Sequence, residues 1–162
     1  MSSFNRRFLL LMPLALAACG FAPAYGPNGS ANGLPGSIRA ADPADKNGFD
    51  LVERLEERLG RPASHRYGLG YTITTRAIGV GITTDGSTTR YNLTGAVDWT
   101  LTDSSTGTQV SGGTVNSFTS YSATGSTVAG LAAEEDAALR LMHILADQIV
   151  TRLIATSANW AS

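Results

Sequence analysis

The chain has 162 residues, 12 basic against 13 acidic for a formal net charge of -1, and a single cysteine. That near balance leaves no basic footprint for nucleic acid and no acidic tail. One cysteine makes no internal disulfide, so packing alone must hold the one domain for which there is room.

The first elements are not part of that domain. Arg6 and Arg7 form a basic start, Phe8 to Ala15 an apolar run, and Leu16-Ala17-Ala18 places small residues directly before Cys19. This is the layout of a secretory signal over residues 1–18. A leucine and two alanines before a cysteine form a bacterial lipoprotein box, in which the cysteine becomes the first mature residue and carries acyl chains. Each buried methylene contributes about 0.8 kcal/mol, so several chains make a permanent anchor. Cys19 is followed by Gly20 and not by aspartate, the usual signal for retention at the inner membrane, so the outer membrane is the predicted destination. Residues 19–36, with Pro23, Pro27, Pro35 and repeated Gly, Ser and Asn, read as the acylated cysteine and a flexible tether. No later apolar run approaches the roughly 18 residues needed to cross a bilayer.

A domain is predicted over residues 37–156, with 157–162 as a C-terminal tail. A weak strand at Ser37 to Ala41 is ended by Asp42-Pro43. A helix follows, capped by Asn47 and stopped by Gly60 and Pro62. Phe49, Val52, Leu55 and Leu59 form its apolar stripe, and Glu53, Arg54, Glu56, Glu57 and Arg58 its solvated face.

The period then changes to two. Tyr67, Leu69, Tyr71 and Ile73 alternate with small or polar residues; Ile78, Val80 and Ile82 continue on the other parity, which predicts a bulge near Thr75-Arg76. Asp85-Gly86 marks a hairpin turn. The return strand places Tyr91, Leu93, Val97, Trp99 and Leu101 on one face. A turn through Asp103 to Gly107 leads to a weaker strand from Thr108 to about Thr119, bulged at Gly112-Gly113. A long helix from about Val128 to Ala155 closes the chain, with Ala138, Met142, Leu145, Ile149 and Leu153 inward and Asp136, Arg140, His143, Asp147 and Thr151 outward. The fold class is α+β: a two-layer sandwich with two helices on one face of a mixed, mostly antiparallel sheet of about four strands, in the order β-α-β-β-β-α.

No constellation for catalysis stands out. His65 and His143 lie at polar positions, no Gly-x-Ser-x-Gly or His-Glu-x-x-His is present, and one cysteine with two distant histidines offers no metal cluster. No enzyme activity, cofactor or metal is expected. The residues alone therefore lead to an acylated periplasmic α+β domain without catalytic signals.

Cys19-Gly20-Phe21-Ala22-Pro23-Ala24-Tyr25-Gly26 resembles the Cys-Gly-Phe-x-Pro-Leu-Tyr-Gly start of the lipopolysaccharide-assembly lipoprotein family LptE in its alphaproteobacterial form, with Ala24 where leucine is usual. Gly81 to Tyr91 and Leu101-Thr102-Asp103 are similar to that family's central hairpin, and the element order is that of its fold. The resemblance implies an outer-membrane lipoprotein on the periplasmic side that partners and plugs the β-barrel LptD, helps it assemble and binds lipopolysaccharide. A structural or accessory lipoprotein without LptD is the alternative. Within this frame Arg76 and Arg90 are the candidate contacts to lipopolysaccharide phosphates. Thr72, Thr94 and Thr100, on a face of small, polar and mostly uncharged side chains, are the candidate residues facing the barrel wall.

Overall fold

The computed structural model describes Gly26, Gly29 and residues 31–84, 86–123 and 125–161. Strand β1 (Ile38–Ala40) leads to helix α1 (Lys46–Leu59), then to three long strands, β2 (Tyr67–Ile82), β3 (Thr88–Asp103) and β4 (Gln109–Ser122). Helix α2 (Thr127–Thr156) follows, with a 3-10 turn at Ser157–Asn159. The strands form one sheet in the order β1-β2-β3-β4, with β1 parallel to β2 and the other pairs antiparallel. The α+β class and the order read from the sequence are those observed.

Helix α1 starts earlier than expected because Asp45, in an extended conformation, accepts a 2.7 Å hydrogen bond from the Gly48 amide. That bond satisfies an N-terminal donor and displaces Asn47 as the cap. The buried face runs through Gly48, Leu51, Leu55 and Leu59, and Phe49 is 60% exposed. Spacings of three and four define this face. A stripe drawn through Phe49 and Val52 is rotated away from it and omits Leu51. Gly60, at φ 79, ends the helix in a conformation that glycine adopts freely.

Strand β2 also differs from its pattern. Its register with β3 runs unbroken from Tyr67 to Gly79, so there is no bulge at Thr75-Arg76; the irregularities lie between Gly79 and Gly81 and between Gly81 and Ile82. Glycines tolerate such a break where larger residues resist it. Ile78 therefore faces the open side with Thr72, Thr74 and Arg76, opposite Tyr71 and Ile73. Ile78, Val80 and Ile82 are all exposed. In the connecting loop the Thr83 amide donates to Ser87 O and Gly86 has φ 83, while Asp85 lies outside the described residues.

Strand β4 runs on to Ser122, and its bulge is at Val110: Leu101 pairs with Ser111 but Thr102 with Gln109. Gly112 and Gly113 pair regularly with Thr100 and Trp99. The alternation on β3 holds, with Leu93, Val97, Trp99 and Leu101 buried and Tyr91 partly so.

Helix α2 begins at the Ser126 cap and buries Ala137, Leu141, Met142, Leu145, Ala146, Ile149, Val150 and Leu153, a broader face than the one predicted. It lies over β3 and β4, beside α1. Where they pass, Arg54 donates to both carboxylate oxygens of Asp147 at 3.1 and 3.0 Å, and Arg58 approaches the same group at 3.7 Å. Part of the charged α1 face and one outward residue of α2 thus form an interhelical ion pair that stays partly open to solvent.

Both segments flanking the expected domain join it. Ala31 and Leu34, expected in the tether, are fully buried, and the Gly36 amide donates to Leu59 O. Trp160, expected in the tail, is buried against Tyr67, with ring centroids 5.1 Å apart and edge to face; the Tyr67 hydroxyl donates to Trp160 O at 3.1 Å. Aromatic packing of this kind adds roughly 0.5–1.5 kcal/mol to the apolar area buried.

A candidate interaction face on the open side of the sheet

The helices cover one face of the sheet and leave the other to solvent. Even-numbered residues of β2 (to Ile78), β3 and β4 (from Gly112) share that open face, because successive side chains of a strand alternate and even residues pair with even across both ladders. Thr72 stands beside Asp98, which stands beside Thr114; the Thr114 hydroxyl donates to the Asp98 carboxylate. Thr100 lies between Gly70 and Gly112. Arg76, Thr94 and Phe118 form one row, and the Thr94 hydroxyl donates to Arg76 O at 3.0 Å. Ile78, Asn92 and Ser120 form the next, tied by a 2.7 Å hydrogen bond from Ser120 to the Asn92 side chain. Arg90 lies beyond, beside Ser122.

The predicted site residues thus fall on one surface. Thr72 and Thr100 are near neighbours at one end of it; Arg76 and Thr94 are cross-strand partners nearer the hairpin; Arg90 is diagonal to Arg76 across the Ile78–Asn92 row. Neither arginine forms an ion pair among the described residues. Thr74, Arg76, Thr94, Ala96, Asn116 and Phe118 line a shallow depression of about 380 Å³. Cys19 lies outside the described residues.

Sequence reasoning missed the apolar component. Phe118 is 63% exposed and Ile78 is 43% exposed, on either side of the Thr94 and Asn92 positions. Phe118 carried a usable signal: it breaks the parity set by Val115, Thr119 and Tyr121, all buried. The face is consequently small and polar at one end, and at the other combines two guanidinium groups with exposed apolar side chains. Such a surface offers charge-assisted hydrogen bonds to anionic groups next to apolar area.

His65 is exposed and His143 half-buried, and among the described residues no group of three His, Cys, Asp or Glu side chains is placed to hold a metal. None of the described helices is long and apolar enough to cross a membrane.

A family model described as "LptE: Lipopolysaccharide-assembly" matches residues 37–153. Among solved structures, a candidate lipoprotein from Caulobacter crescentus is similar at 25% identity and a TM-score of 0.70, over 82% of this chain and 98% of that one. Rare lipoprotein B from Shewanella oneidensis is similar in fold at 15% identity and a TM-score of 0.59, over 78% of this chain and 98% of that one. A minor lipoprotein from Acinetobacter baumannii is similar in fold at 19% identity and a TM-score of 0.55, over 74% and 89% of the two chains. No curated protein sequence matches.

Proposed function

The chain belongs to the LptE family of lipopolysaccharide-assembly lipoproteins, and on that premise we propose that it is an outer-membrane lipoprotein, anchored on the periplasmic side through acylated Cys19, that partners and plugs an LptD-like β-barrel. In that position it assists insertion of lipopolysaccharide into the outer leaflet. The observation that carries the barrel partnership is the open sheet face. Thr72, Thr74, Asn92, Thr94 and Thr100 on this face are exposed or half-exposed and uncharged, and its charges are confined to Asp98, which accepts from Thr114, and to Arg76 and Arg90. Short hydroxyl and amide side chains lose little rotamer entropy on contact and hydrogen-bond to a polar lumen wall. Arg76 and Arg90, with Ile78 and Phe118 beside them, are the residues we assign to lipopolysaccharide, the guanidinium groups toward phosphates and the apolar side chains toward the lipid part.

Purification of the full-length protein from detergent-solubilised outer membranes tests the partnership. A stoichiometric barrel protein is the expected companion. Peptidoglycan, or nothing, would overturn this reading in favour of a structural or accessory lipoprotein. Cys19→Ala should abolish fatty-acid labelling and lower the amount of protein in outer-membrane fractions to what the barrel alone retains; labelling that persists in the variant would refute the anchor.

A further inference from the structure

The two edges of the sheet are treated differently. Strand β1 is three residues long, and the chain beside it folds over its start, with Ala63 and Ser64 amides both donating to Gly36 O. Short, flanked edges of this kind resist pairing with another chain. Strand β4, at the other edge, has 14 residues and contains no Lys, Arg, Asp, Glu or Pro. Its one bulge, at Val110, lies near its start, and from Ser111 to Ser122 the register is regular.

Which backbone groups of β4 point outward follows from two independent contacts. The Ala123 amide donates across the ladder to Thr89 O, so odd-numbered residues bond to β3 and even-numbered ones do not. Asn116 O accepts instead from the Gln148 side chain on α2, at 3.3 Å, which is the outward direction. Gly112, Thr114, Asn116, Phe118 and Ser120 therefore aim their amides and carbonyls away from the sheet, and all five residues are exposed. Apart from the Gln148 contact, no hydrogen bond among the described residues meets these groups.

We propose that β4 is a strand-addition edge, on which an extended segment of the barrel partner pairs with Thr114 to Ser120. This rests on the partnership proposed above and names the surface that carries it. The occupant is fixed by chemistry: a row of alternating donors and acceptors at strand spacing is complementary to another extended backbone and to little else. Because β4 itself carries no charge, pairing with it asks for no charged side chain on the segment's directly opposed positions. The wall of a closed barrel has every strand edge paired, so the segment comes from a part of the partner outside that wall. The open face thus meets the wall through side chains while the β4 edge holds the partner through its backbone.

Hydrogen–deuterium exchange on the full-length protein, free and in the purified barrel complex, reads this directly. The outward amides of Thr114, Phe118 and Ser120 are expected to exchange quickly in the free protein and at least about tenfold more slowly in the complex, as paired strand amides do. A proline at Ser120 removes one edge donor yet leaves the β3–β4 ladder intact, since proline is tolerated where its nitrogen faces solvent. Ser120→Pro should lower barrel recovery about tenfold, the scale of one or two lost backbone hydrogen bonds, and Ser120→Ala should not. Unchanged exchange of these amides in a complex that does form would overturn edge pairing and leave the plug reading standing. Failure of the wild-type protein to recover any barrel would sink both.

Discussion

Arg54 and Asp147 lock the two helices together through a side-by-side pair of hydrogen bonds, Nε to Oδ1 and Nη2 to Oδ2. Arg54 also bonds Glu57, so its guanidinium is held from two sides; the Asp147 hydrogen bond is the main cause that raises its pKa above the ordinary value. The pair is partly open to solvent, with side-chain exposures of 26% and 38%, so its worth is modest. A double-mutant cycle of Arg54→Ala and Asp147→Ala should give a small favourable coupling, that of a partly solvated two-pronged pair. Arg54→Lys should recover less than half, because a lysine cannot make the two-pronged contact. Denaturant midpoints check both values, and additive losses would show that the contact contributes nothing.

Gly95 interrupts the alternation Leu93, Val97, Trp99, and its place in the structure explains the gap. A Cβ built there would stand 2.9 Å from Leu141 Cδ2 and 3.1 Å from Leu145 Cδ1, so the side chains of α2 occupy the space above this residue. Gly95→Val should destabilise by about 2–3 kcal/mol through overpacking. Truncating Leu93 or Val97 to alanine should cost about 2–4 kcal/mol through a cavity, and Thr94→Ala on the open face much less. Thermal or urea unfolding of the set separates them. Equal losses at Leu93 and Thr94 would mean that both faces of β3 are covered.

The contrast between β3 and β2 shows what was legible in the sequence. The period-two pattern of β3 fixes its faces because α2 packs on one side along its length, and the element order follows from where periods change. In β2 the helices cover only the first half, so Ile78, Val80 and Ile82 need not turn inward, and hydrophobicity there is no guide to the core. Pairing register decides, and register is a property of two strands. Phe49 misled for a related reason, since α1 buries a narrow stripe centred on Leu51. At the ends, composition concealed single anchoring residues: Leu34 among prolines and glycines, and Trp160 two residues before the last. Of the candidate site, the short polar residues and the arginines were legible; their apolar neighbours Ile78 and Phe118 were not.

Tyr71 offers a test by pH. Its hydroxyl is buried near Gly48 and Asp45 and has no hydrogen-bond partner among the described residues; burial, helped by Asp45 and Asp42, pushes its pKa above the ordinary tyrosine value. A group held neutral in the folded state binds its proton more tightly there than in the unfolded chain. Its contribution to stability is therefore whole below the ordinary tyrosine pKa of about 10 and is lost as pH rises through the higher folded value. Tyr71→Phe should leave stability at neutral pH unchanged or raised by up to about 1 kcal/mol, since it removes an unmatched polar atom. It should also flatten the loss of stability above pH about 10, which chemical denaturation across alkaline pH would read. Tyr121, also raised by burial, retains its share of that loss.

Arg76 and Arg90 should act together on an anionic lipid. Each is exposed on the open face and neither is committed to an ion pair among the described residues. Arg76→Ala with Arg90→Ala should weaken binding of purified lipopolysaccharide roughly tenfold at low salt, with a smaller difference at high salt as screening reduces the wild-type interaction. Unchanged affinity in the double variant would return both to ordinary surface arginines.

The open face and the helix side of the molecule make different contacts if the domain sits inside a barrel. Thr94 lies on β3, one strand in from the β4 edge, between Arg76 and Phe118; Thr100 is exposed and lies between two glycines. A lumen wall approaching the sheet would meet both within side-chain reach, whereas Glu56 stands on α1 in the opposite layer. A photo-crosslinking amino acid at Thr94 or Thr100 of the acylated, full-length protein should therefore capture an integral outer-membrane barrel in cells, and one at Glu56 should do so less often. The positional contrast is what matters, because a protein that merely collides with barrels at the membrane surface would label from every exposed position alike. Equal yields from the three sites would remove the sheet face as the contact, and no adduct from any of them would end the plug reading.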